Sequence, residues 1–332
     1  MSLSSIANTS SLSNARCLVT GGAGFIGSHV AVGLLDSGAR VRVLDNLSTG
    51  FETNLEPMRS HPNASRFEFV SGDAADADVI QGAVQGVDHV FHLAAMASVP
   101  RSMREPTRCH HWTTTSTIQL LEHGAAAGVK RLVLSSTSAA YGNSPFVSKR
   151  ESDAPMPLSP YAASKLASEG YCEAFAREFE IEPVILRYFN VYGPRQDPQS
   201  EYSAVIPRFV SMILNGEEPI IYGDGHQSRD FVYVADVVQA NLLAATVPGV
   251  AGQRFNVARG EQATLLHLLS TLSDLLERPI EPIHEPPRAG DVRQSLADIT
   301  AIRNGLGFEP QVSLKEGLRE SISYYESICQ AH

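Results

Sequence analysis

The stretch Cys17-Leu18-Val19-Thr20-Gly21-Gly22-Ala23-Gly24-Phe25-Ile26-Gly27 decides the fold of this 332-residue chain. It is a short apolar run that leads directly into a glycine-rich turn. An apolar pattern of helical period follows through Val30 and Leu34, and a second apolar run at residues 41–44 ends at Asp45. Strand, glycine turn, helix, strand and acid in this order are typical of a dinucleotide-binding βαβ unit.

The glycines and the acid indicate how a dinucleotide is held. Glycine permits a sharp turn and lets the backbone approach a pyrophosphate, which lies on the N-terminus of the following helix. The spacing is G-x-x-G-x-x-G, at Gly21, Gly24 and Gly27, and not G-x-G-x-x-G. Asp45 would accept both adenosine ribose hydroxyls and would repel a 2′-phosphate. We therefore expect NAD as the cofactor, in preference to NADP.

Apolar runs and helical lengths continue to alternate as far as Asn190. Strands are expected at 66–70, 88–93, 131–135 and 183–187, and this alternation predicts right-handed βαβ units and a parallel sheet. After Asn190, short helices are expected at 206–215, 265–276 and 314–329, among Pro- and Gly-rich connections. We expect an α/β fold with a Rossmann-type, doubly wound parallel sheet and a smaller, irregular C-terminal domain that binds substrate.

The expected domain bounds follow from this change of texture. The NAD-binding domain is predicted to span 14–190, and 226–250 is predicted to return to it. The second domain is predicted to comprise 191–225 and 251–330, and 1–13 is predicted to be a disordered tail.

Composition excludes several classes of function. The net charge of −10 argues against general nucleic-acid binding, and no run approaches the about 18 apolar residues of a membrane span. The four cysteines form no C-x-x-C pair, and adjacent His110 and His111 would point in different directions on a helix without an acid to complete a metal site. We expect a reduced, cytoplasmic protein without a metal, and His92 as a core residue.

Tyr161 and Lys165 form the candidate catalytic pair. Four residues apart, they would lie on one face of a helix, one turn from each other. An ammonium beside a phenol favours the phenolate, which lowers a pKa that is otherwise about 10 and provides a base near neutral pH.

These features resemble the extended short-chain dehydrogenase/reductase family and, within it, the NAD-dependent nucleotide-sugar 4-epimerases. The resemblance extends from about Arg16 to Tyr325. Besides the stretches above, it rests on these motifs: Asp45-Asn46, Gly72-Asp73, Phe91-His92-Leu93-Ala94-Ala95, Ser135-Ser136-Thr137, Arg187-Tyr188-Phe189-Asn190-Val191-Tyr192-Gly193, Gly223-Asp224-Gly225, Arg229-Asp230-Phe231 and Arg288-Ala289-Gly290-Asp291.

The resemblance implies a role for each matching position. Tyr161 is the base, Lys165 binds the nicotinamide ribose and lowers the tyrosine pKa, and Thr137 bonds to the sugar O4. Asp73 meets the adenine amino group. The implied cofactor contacts are Gly21, Gly24, Phe25, Ile26, Gly27, Asp45, Asn46, Asp73, Ala94 and Lys165. The implied substrate contacts are Ser98, Ser138, Asn190, Ala204, Val205, Arg229, Arg288, Asp291 and Ser295, with Asn190, Arg229 and Arg288 on the UDP pyrophosphate.

The implied reaction inverts C4 of a UDP-sugar. Oxidation by NAD⁺ gives a 4-keto sugar, which rotates about its link to the diphosphate and is reduced on its other face. Ala204 and Ser295 stand where strict glucose/galactose epimerases tend to carry asparagine and tyrosine, which leaves room for a 2-acetamido group. Ser98-Val99-Pro100-Arg101-Ser102 also resembles the branch for UDP-N-acetylhexosamines. We expect UDP-GlcNAc/UDP-GalNAc interconversion, with UDP-Glc/UDP-Gal second.

Several alternatives stay open. An epimerase of UDP-glucuronate or of a UDP-pentose differs mainly in its sugar contacts. A 4,6-dehydratase would need Asp-Glu after Thr137, and a UDP-glucuronate decarboxylase would need a Glu there, but Ser138-Ala139 follows. A non-catalytic NAD-sensing protein would be expected to have lost Tyr161 or Lys165.

One departure from the family pattern falls near the active site. The family starts the helix before the Ser/Thr strand with Asn-Val-x-Gly-Thr, and its asparagine stabilises a helix distortion. Thr113 takes the place of that asparagine, and its hydroxyl is the expected substitute, with less reach. The resemblance also implies a homodimer through a four-helix bundle of helices 113–127 and 161–179.

Overall fold

The computed structural model describes residues 9–198, 204–287 and 293–329. The strands in these ranges are β1 (Arg16–Thr20), β2 (Arg40–Asp45), β3 (Phe67–Ser71), β4 (His89–His92), β5 (Arg131–Thr137), β6 (Ser148–Lys149), β7 (Glu182–Tyr188), β8 (Asn190–Tyr192), β9 (Ile220–Tyr222), β10 (Ser228–Arg229), β11 (Phe231–Tyr233), β12 (Arg254–Val257), β13 (Ala263–Thr264), β14 (Ile283–Glu285) and β15 (Leu296–Ala297).

The α-helices in the same ranges are α1 (Phe25–Asp36), α2 (Glu56–Arg59), α3 (Ala77–Ala83), α4 (Val99–Arg104), α5 (Pro106–His110), α6 (Ser116–Ala126), α7 (Pro160–Glu178), α8 (Val205–Leu214), α9 (Val234–Thr246), α10 (Leu265–Leu275), α11 (Thr300–Leu306) and α12 (Leu314–Cys329). A π-helical turn, His111–Thr115, joins α5 to α6. Four 3₁₀ turns, Thr9–Leu12, Glu52–Leu55, Ala64–Arg66 and Ser138–Tyr141, complete the helical segments.

Seven parallel strands form the main sheet, in the order β12-β7-β5-β4-β1-β2-β3. Val19 of β1 faces Val43 on one side and Phe91 on the other, and these apolar side chains are buried. The expected fold class is confirmed. The sequence pattern missed the seventh strand, β12, because arginine and asparagine interrupt its four residues and leave no apolar run.

Helices cover both faces of the sheet. On one face, Val30 and Leu34 of α1 share a core with Val237 of α9; on the other, Ile80 of α3 and Leu120 of α6 share a second core. This two-sided cover explains why the central strands consist almost wholly of apolar residues. The main sheet is consequently buried between two apolar layers.

Smaller strand pairs and a third core follow β7. The pairs are β8 with β11, β10 with β13, β9 with β14 and β6 with β15. Phe209 of α8, Leu268 of α10 and Ile322 of α12 pack together around them. Because β8 begins two residues after β7, this assembly adjoins the carboxyl edge of the main sheet. The division into two domains stays a prediction.

The amino-terminal segment becomes ordered earlier than expected. Thr9–Leu12 form a 3₁₀ turn, and Leu12 is completely buried in the core beside α1 and α9. The predicted disordered tail of residues 1–13 is therefore wrong at residues 9–13, because an apolar side chain anchors this segment, and residues 1–8 lie outside the described ranges. No helix in the described ranges is long and apolar enough to cross a membrane.

Candidate active site

Close backbone packing explains the glycines of the turn after β1. Gly21 has φ +71°, and a Cβ there would lie 2.6 Å from the Ala94 nitrogen. A Cβ on Gly27 would lie 2.1 Å from the Gly21 carbonyl oxygen, too close for any side chain. The turn therefore packs against the end of β4 through Ala94, and only glycine fits at these two positions.

The first turn of α1 presents backbone N–H groups that carry no side-chain cap. Gly24 is the N-cap residue and has no side chain to bond them, and Phe25 and Ile26 open the twelve-residue helix. An uncapped helix N-terminus behind a glycine turn suits an anion. The geometry fits the pyrophosphate of a dinucleotide.

Asp45 lies at the end of β2 beside this turn. Its carboxylate accepts hydrogen bonds from the Ala23 nitrogen at 2.9 Å and the Leu47 nitrogen at 2.8 Å. Burial raises the pKa of Asp45, and the two backbone bonds offset part of that rise. Each carboxylate oxygen keeps a further lone pair. The residues thus fit the NAD ribose, with the acid fixed by the turn it adjoins.

Asp73 and Asn46 lie next to Asp45 at the same edge. The Asn46 amide donates to Asp73 Oδ2 at 3.4 Å, and the Ala75 nitrogen donates to Asp73 Oδ1 at 2.9 Å. Trp112, which the sequence analysis did not select, donates its indole Nε1–H to Asp73 Oδ2 at 3.0 Å. The structure therefore brings Asp45, Asn46 and Asp73 together as expected for one binding surface, and adds an aromatic residue to it.

Thr137 and Tyr161, two of the candidate catalytic residues, lie next to each other. Thr137 ends β5, and Tyr161 lies in the first turn of α7, whose N-cap Ser159 accepts from the Ala162 nitrogen. The Thr137 hydroxyl lies close enough to the Tyr161 phenol to favour its ionised form. Burial raises the pKa of Tyr161, and the Thr137 hydroxyl offsets only part of this rise. The predicted lowering of this pKa is therefore wrong for the structure described.

Lys165 explains that difference. Its Nζ donates to the Ser135 carbonyl at 2.6 Å and its side chain is buried. Burial lowers the pKa of Lys165 to about 8, and Cys109 and Glu169 offset part of that effect. The ammonium bonds a backbone carbonyl and not the phenol, so burial is the dominant effect on the pKa of Tyr161. Its position beneath Tyr161 on α7 is nevertheless the one that the spacing predicts.

A buried ion pair fixes α7 against the sheet. Arg187 of β7 donates from Nε and Nη2 to both oxygens of Glu169, at 2.9 and 2.7 Å, and Ser136 Oγ donates to Glu169 at 2.5 Å. The guanidinium also stacks on the Tyr141 ring at 4.8 Å. Since Glu169 is one helical turn beyond Lys165, this cluster sets the height of the catalytic helix above β5.

The segment with Ser98 and Ser102 fixes the other end of α7. Ser98 is the N-cap of α4 and accepts from the Arg101 nitrogen at 3.2 Å. Ser102 Oγ accepts from the Tyr161 nitrogen at 3.2 Å. Ser102 stands in the Ser-Val-Pro-Arg-Ser stretch but was not predicted as a site residue, because its role depends on a contact with the distant α7.

The π-helical turn at Thr113 keeps the helix distortion that the family builds with asparagine. The Thr113 carbonyl accepts from three hydroxyls: Thr117 at 2.7 Å, Ser116 at 3.1 Å and Ser168 at 3.2 Å. Thr113 Oγ1 is buried and makes no hydrogen bond of standard geometry within the described ranges; the adjacent Cys109 thiol is a weak partner. The expectation that the Thr113 hydroxyl substitutes is wrong, because neighbouring hydroxyls bond the carbonyl instead.

His92 belongs to the same buried polar network. Its Nδ1 lies 2.7 Å from Thr20 Oγ1 and its Nε2 lies 3.1 Å from Thr117 Oγ1. Burial lowers the pKa of His92 to about 3, with a smaller contribution from Lys165, so the ring is neutral. This confirms His92 as a satisfied core residue. In the described ranges, no cluster of three or more His, Cys, Asp or Glu is arranged to hold a metal ion.

The candidate substrate residues lie where the smaller strand pairs meet. Asn190 donates its backbone N–H to the Asp230 carbonyl at 3.2 Å, and Ser295 donates to the Ser228 carbonyl at 3.2 Å, so both adjoin Arg229. Ser138 directly follows Thr137 in a 3₁₀ turn. Ala204 is the N-cap residue of α8, and Val205 opens that helix. Arg288 and Asp291 lie outside the described residues.

Comparison with known proteins gives a consistent result. The sequence profile described as the NAD dependent epimerase/dehydratase family matches residues 17–258. A UDP-glucose 4-epimerase of Mycolicibacterium smegmatis is 39% identical over 317 residues, which cover 95% of this chain and 100% of that protein.

Two solved structures superpose on nearly the whole chain. One is a UDP-N-acetylglucosamine 4-epimerase of Methanobrevibacter ruminantium in complex with UDP-N-acetylmuramic acid; it is 41% identical, with a TM-score of 0.90, over 95% of this chain and 99% of that one. The other is a UDP-glucose 4-epimerase of Thermotoga maritima with UDP-glucose, 42% identical, with a TM-score of 0.88 and the same shares covered. These three relatives agree on the reaction and differ in the sugar.

Proposed function

Because this chain belongs to the NAD dependent epimerase/dehydratase family, we propose that it interconverts UDP-GlcNAc and UDP-GalNAc by epimerisation at C4. It is an NAD-dependent epimerase of UDP-sugars. The observation that carries the site assignment is the placement of the Tyr161 phenol beside the Thr137 hydroxyl, one helical turn from buried Lys165. UDP-Glc/UDP-Gal is the second candidate, favoured by the M. smegmatis and T. maritima relatives.

The proposed chemistry divides among three side chains. Thr137 holds the sugar O4 hydroxyl, and Tyr161 takes its proton and returns it after the sugar has turned over. Lys165 holds the nicotinamide ribose and keeps a positive charge beneath the phenol. When bound, NAD supplies the reversible oxidation of C4. A site that only places reacting groups in this way needs no further acid, in agreement with Ser138-Ala139 after Thr137.

The proposed binding contacts follow the two edges described above. The glycine turn, with Phe25 and Ile26, holds the pyrophosphate of NAD, and Asp45 and Asp73 hold its ribose and adenine. Asn190 and Arg229, which β8 and β10–β11 bring together, hold the UDP diphosphate. The small side chains of Ala204 and Ser295 would leave room for an acetamido group on the sugar.

A product assay tests the function. Purified protein is incubated separately with UDP-GlcNAc, UDP-Glc and UDP-glucuronate, and the products are separated by ion-pair chromatography. We expect UDP-GalNAc from UDP-GlcNAc without added reductant. Formation of UDP-Gal alone would overturn the assignment of an acetamido sugar but would leave the assignment as an epimerase intact.

The variant Tyr161→Phe tests the proposed base. Its kcat should be lower by at least about a thousandfold while NAD stays bound, since the substitution removes the acid–base group and no cofactor contact. Retained turnover would show that Tyr161 is not the base.

We also propose a cytoplasmic homodimer formed through α6 and α7. The cysteines in the described side chains, Cys17, Cys109 and Cys172, are free and buried, which suits a reducing compartment. On α7, Ala163, Tyr171 and Ala174 are exposed at helical spacing. A face of small and aromatic residues on a helix is suited to antiparallel pairing with a second copy.

A further inference from the structure

The only tryptophan of the chain is bonded to the carboxylate at the outer end of the cofactor site. Trp112 Nε1 donates to Asp73 Oδ2 at 3.0 Å, a good distance for an N–H bond to a carboxylate. The Asn46 amide donates to the same oxygen over a longer distance, 3.4 Å. The orientation of the Asp73 carboxylate is thus set mainly by Trp112 and by the Ala75 nitrogen on the other oxygen.

The position of Asp73 in the sheet indicates what it meets. Ser71 of β3 pairs with Asp45 of β2, and the Gly72 nitrogen donates to the Asp45 carbonyl at 3.1 Å. A nucleotide with its pyrophosphate on α1 and its ribose on Asp45 extends its base outward over β3. The only donor on an adenine ring is its exocyclic amino group, and a carboxylate can only accept. Asp73 is therefore placed to distinguish an amino group from a carbonyl.

A rigid support holds the indole in this position. Arg101 and Arg108 lie over the Trp112 ring, at 5.1 and 5.5 Å from its centre. Glu105 bonds both arginines, at 3.1 and 2.6 Å. Two cations that share one carboxylate contact the aromatic ring, and each adds a cation–π attraction that restrains it. The indole N–H is therefore presented to Asp73 as a fixed donor.

We propose that Trp112 is a positioning residue for adenine recognition. Its N–H fixes the rotation of the Asp73 carboxylate so that the acid receives the adenine amino group without reorienting. The inference rests on the proposed contact between Asp73 and adenine. It adds a residue from the π-helical turn to the cofactor site, and it predicts that the base selectivity of the site depends on an indole that need not touch the base.

Affinity for two dinucleotides tests this inference. Binding of NAD and of nicotinamide hypoxanthine dinucleotide, which carries a carbonyl in place of the adenine amino group, is measured by titration calorimetry on protein freed of nucleotide. A lost bond to a charged acceptor predicts that the wild type prefers NAD by at least about tenfold. Trp112→Phe keeps an aromatic ring against the arginines and removes the donor. Its preference should fall to within about threefold.

The control and a second measurement separate the outcomes. Arg108→Ala removes one of the two cations over the ring, keeps Arg101 and the N–H, and should keep most of the preference. An unchanged preference in Trp112→Phe would overturn the role of Trp112. Absence of a preference in the wild type would overturn the Asp73 contact as well. The product assay tests the epimerase function independently of both outcomes.

If Trp112→Phe does not fold, the fluorescence emission of the wild-type protein provides the test. ADP-ribose should shift the emission of this single tryptophan, and nicotinamide mononucleotide should not. An unshifted emission at saturating ADP-ribose would contradict the inference.

Discussion

The pKa of Lys165 predicts how the rate of the reaction depends on pH. Burial lowers the pKa of this lysine to about 8, well below its ordinary value of about 10.4. Because the proposed role of the ammonium is to hold the nicotinamide ribose, kcat/KM should fall as the pH rises through about 8. Lys165→Met should be at least about a hundredfold slower at pH 7 and lack this falling limb. Initial rates between pH 6 and 10 measure both, and an unchanged rate up to pH 9.5 would contradict the role.

The lowered pKa of Lys165 makes stability change with pH in the opposite direction to activity. The folded state binds the Lys165 proton less tightly than the unfolded chain, so between about pH 8 and the ordinary lysine pKa the unfolded chain carries more protons. Stability from this group therefore rises with pH across that window, while activity falls. The two trends separate a catalytic loss from unfolding.

Ser295 tests substrate size at the scale of one side chain. Its backbone bonds to Ser228, next to Arg229, and it is partly exposed. Ser295→Tyr should fill the space for a 2-acetamido group and lower kcat/KM for UDP-GlcNAc by about a hundredfold, while UDP-Glc changes by less than about fivefold. Ser295→Ala, which adds no bulk, should leave both substrates nearly unchanged. Equal losses for both sugars in the tyrosine variant would contradict a contact between Ser295 and the 2-acetamido group.

The positions of candidate site residues were predictable where one short motif contains them. Tyr161 and Lys165 could be placed on one helical face from their spacing, and Asp45 from its place after β2. The partners of these groups were not predictable. The Ser135 carbonyl takes the Lys165 ammonium and Trp112 bonds Asp73, and both contacts join segments about 30 to 40 residues apart in the chain. No local pattern encodes such pairs.

At the scale of elements, the π-helical turn shows how hydroxyls replace an amide. A π turn leaves a carbonyl out of the regular helical ladder, and three hydroxyls bond the carbonyl of Thr113. Thr117→Val keeps the shape of the side chain but removes the shortest of these bonds and a partner of His92. It should lower the unfolding free energy by about 1 to 3 kcal/mol, because buried polar atoms lose a partner.

A matched pair of variants gives this prediction its control. Thr113→Val removes a hydroxyl without a standard hydrogen bond, and should change stability by less than about 0.5 kcal/mol. Denaturant unfolding of both variants measures the difference. If Thr113→Val costs as much as Thr117→Val, the hydroxyl of residue 113 and not its carbonyl carries the turn.

Elements were predicted best where periodicity is strong. The predicted helices at 206–215, 265–276 and 314–329 agree with α8, α10 and α12 within one residue at each end. The predicted helix at 113–127 becomes a π turn followed by α6, since a change of hydrogen-bond register leaves hydrophobic spacing almost unaltered. Strand β12 was missed because its place in the sheet comes from pairing with β7 and not from its own composition.

For the whole molecule, the sheet gives one edge to two ligands. The glycine turn, Asp45 and Asp73 follow β1, β2 and β3, whereas Thr137 ends β5 and Asn190 follows β7. The strand order reverses between these groups, at the neighbours β1 and β4. A crevice at such a switch point is where open α/β sheets bind ligands. Cofactor and sugar can therefore meet above β4 and β5, where Tyr161 and Lys165 of α7 lie.

The exposed face of α7 gives the last prediction. Tyr171 is 43% exposed, and it is flanked by Ala163, Ala167 and Ala174 at intervals of about one helical turn. If α6 and α7 pair with a second copy in a two-fold bundle, each Tyr171 becomes buried, and Tyr171→Glu would place two charges in an apolar interface. Light scattering should give a dimer mass for the wild type and a monomer mass for this variant. Ile283→Glu, which charges an equally exposed residue on β14, should remain dimeric. A wild-type mass near 35.8 kDa would contradict the bundle.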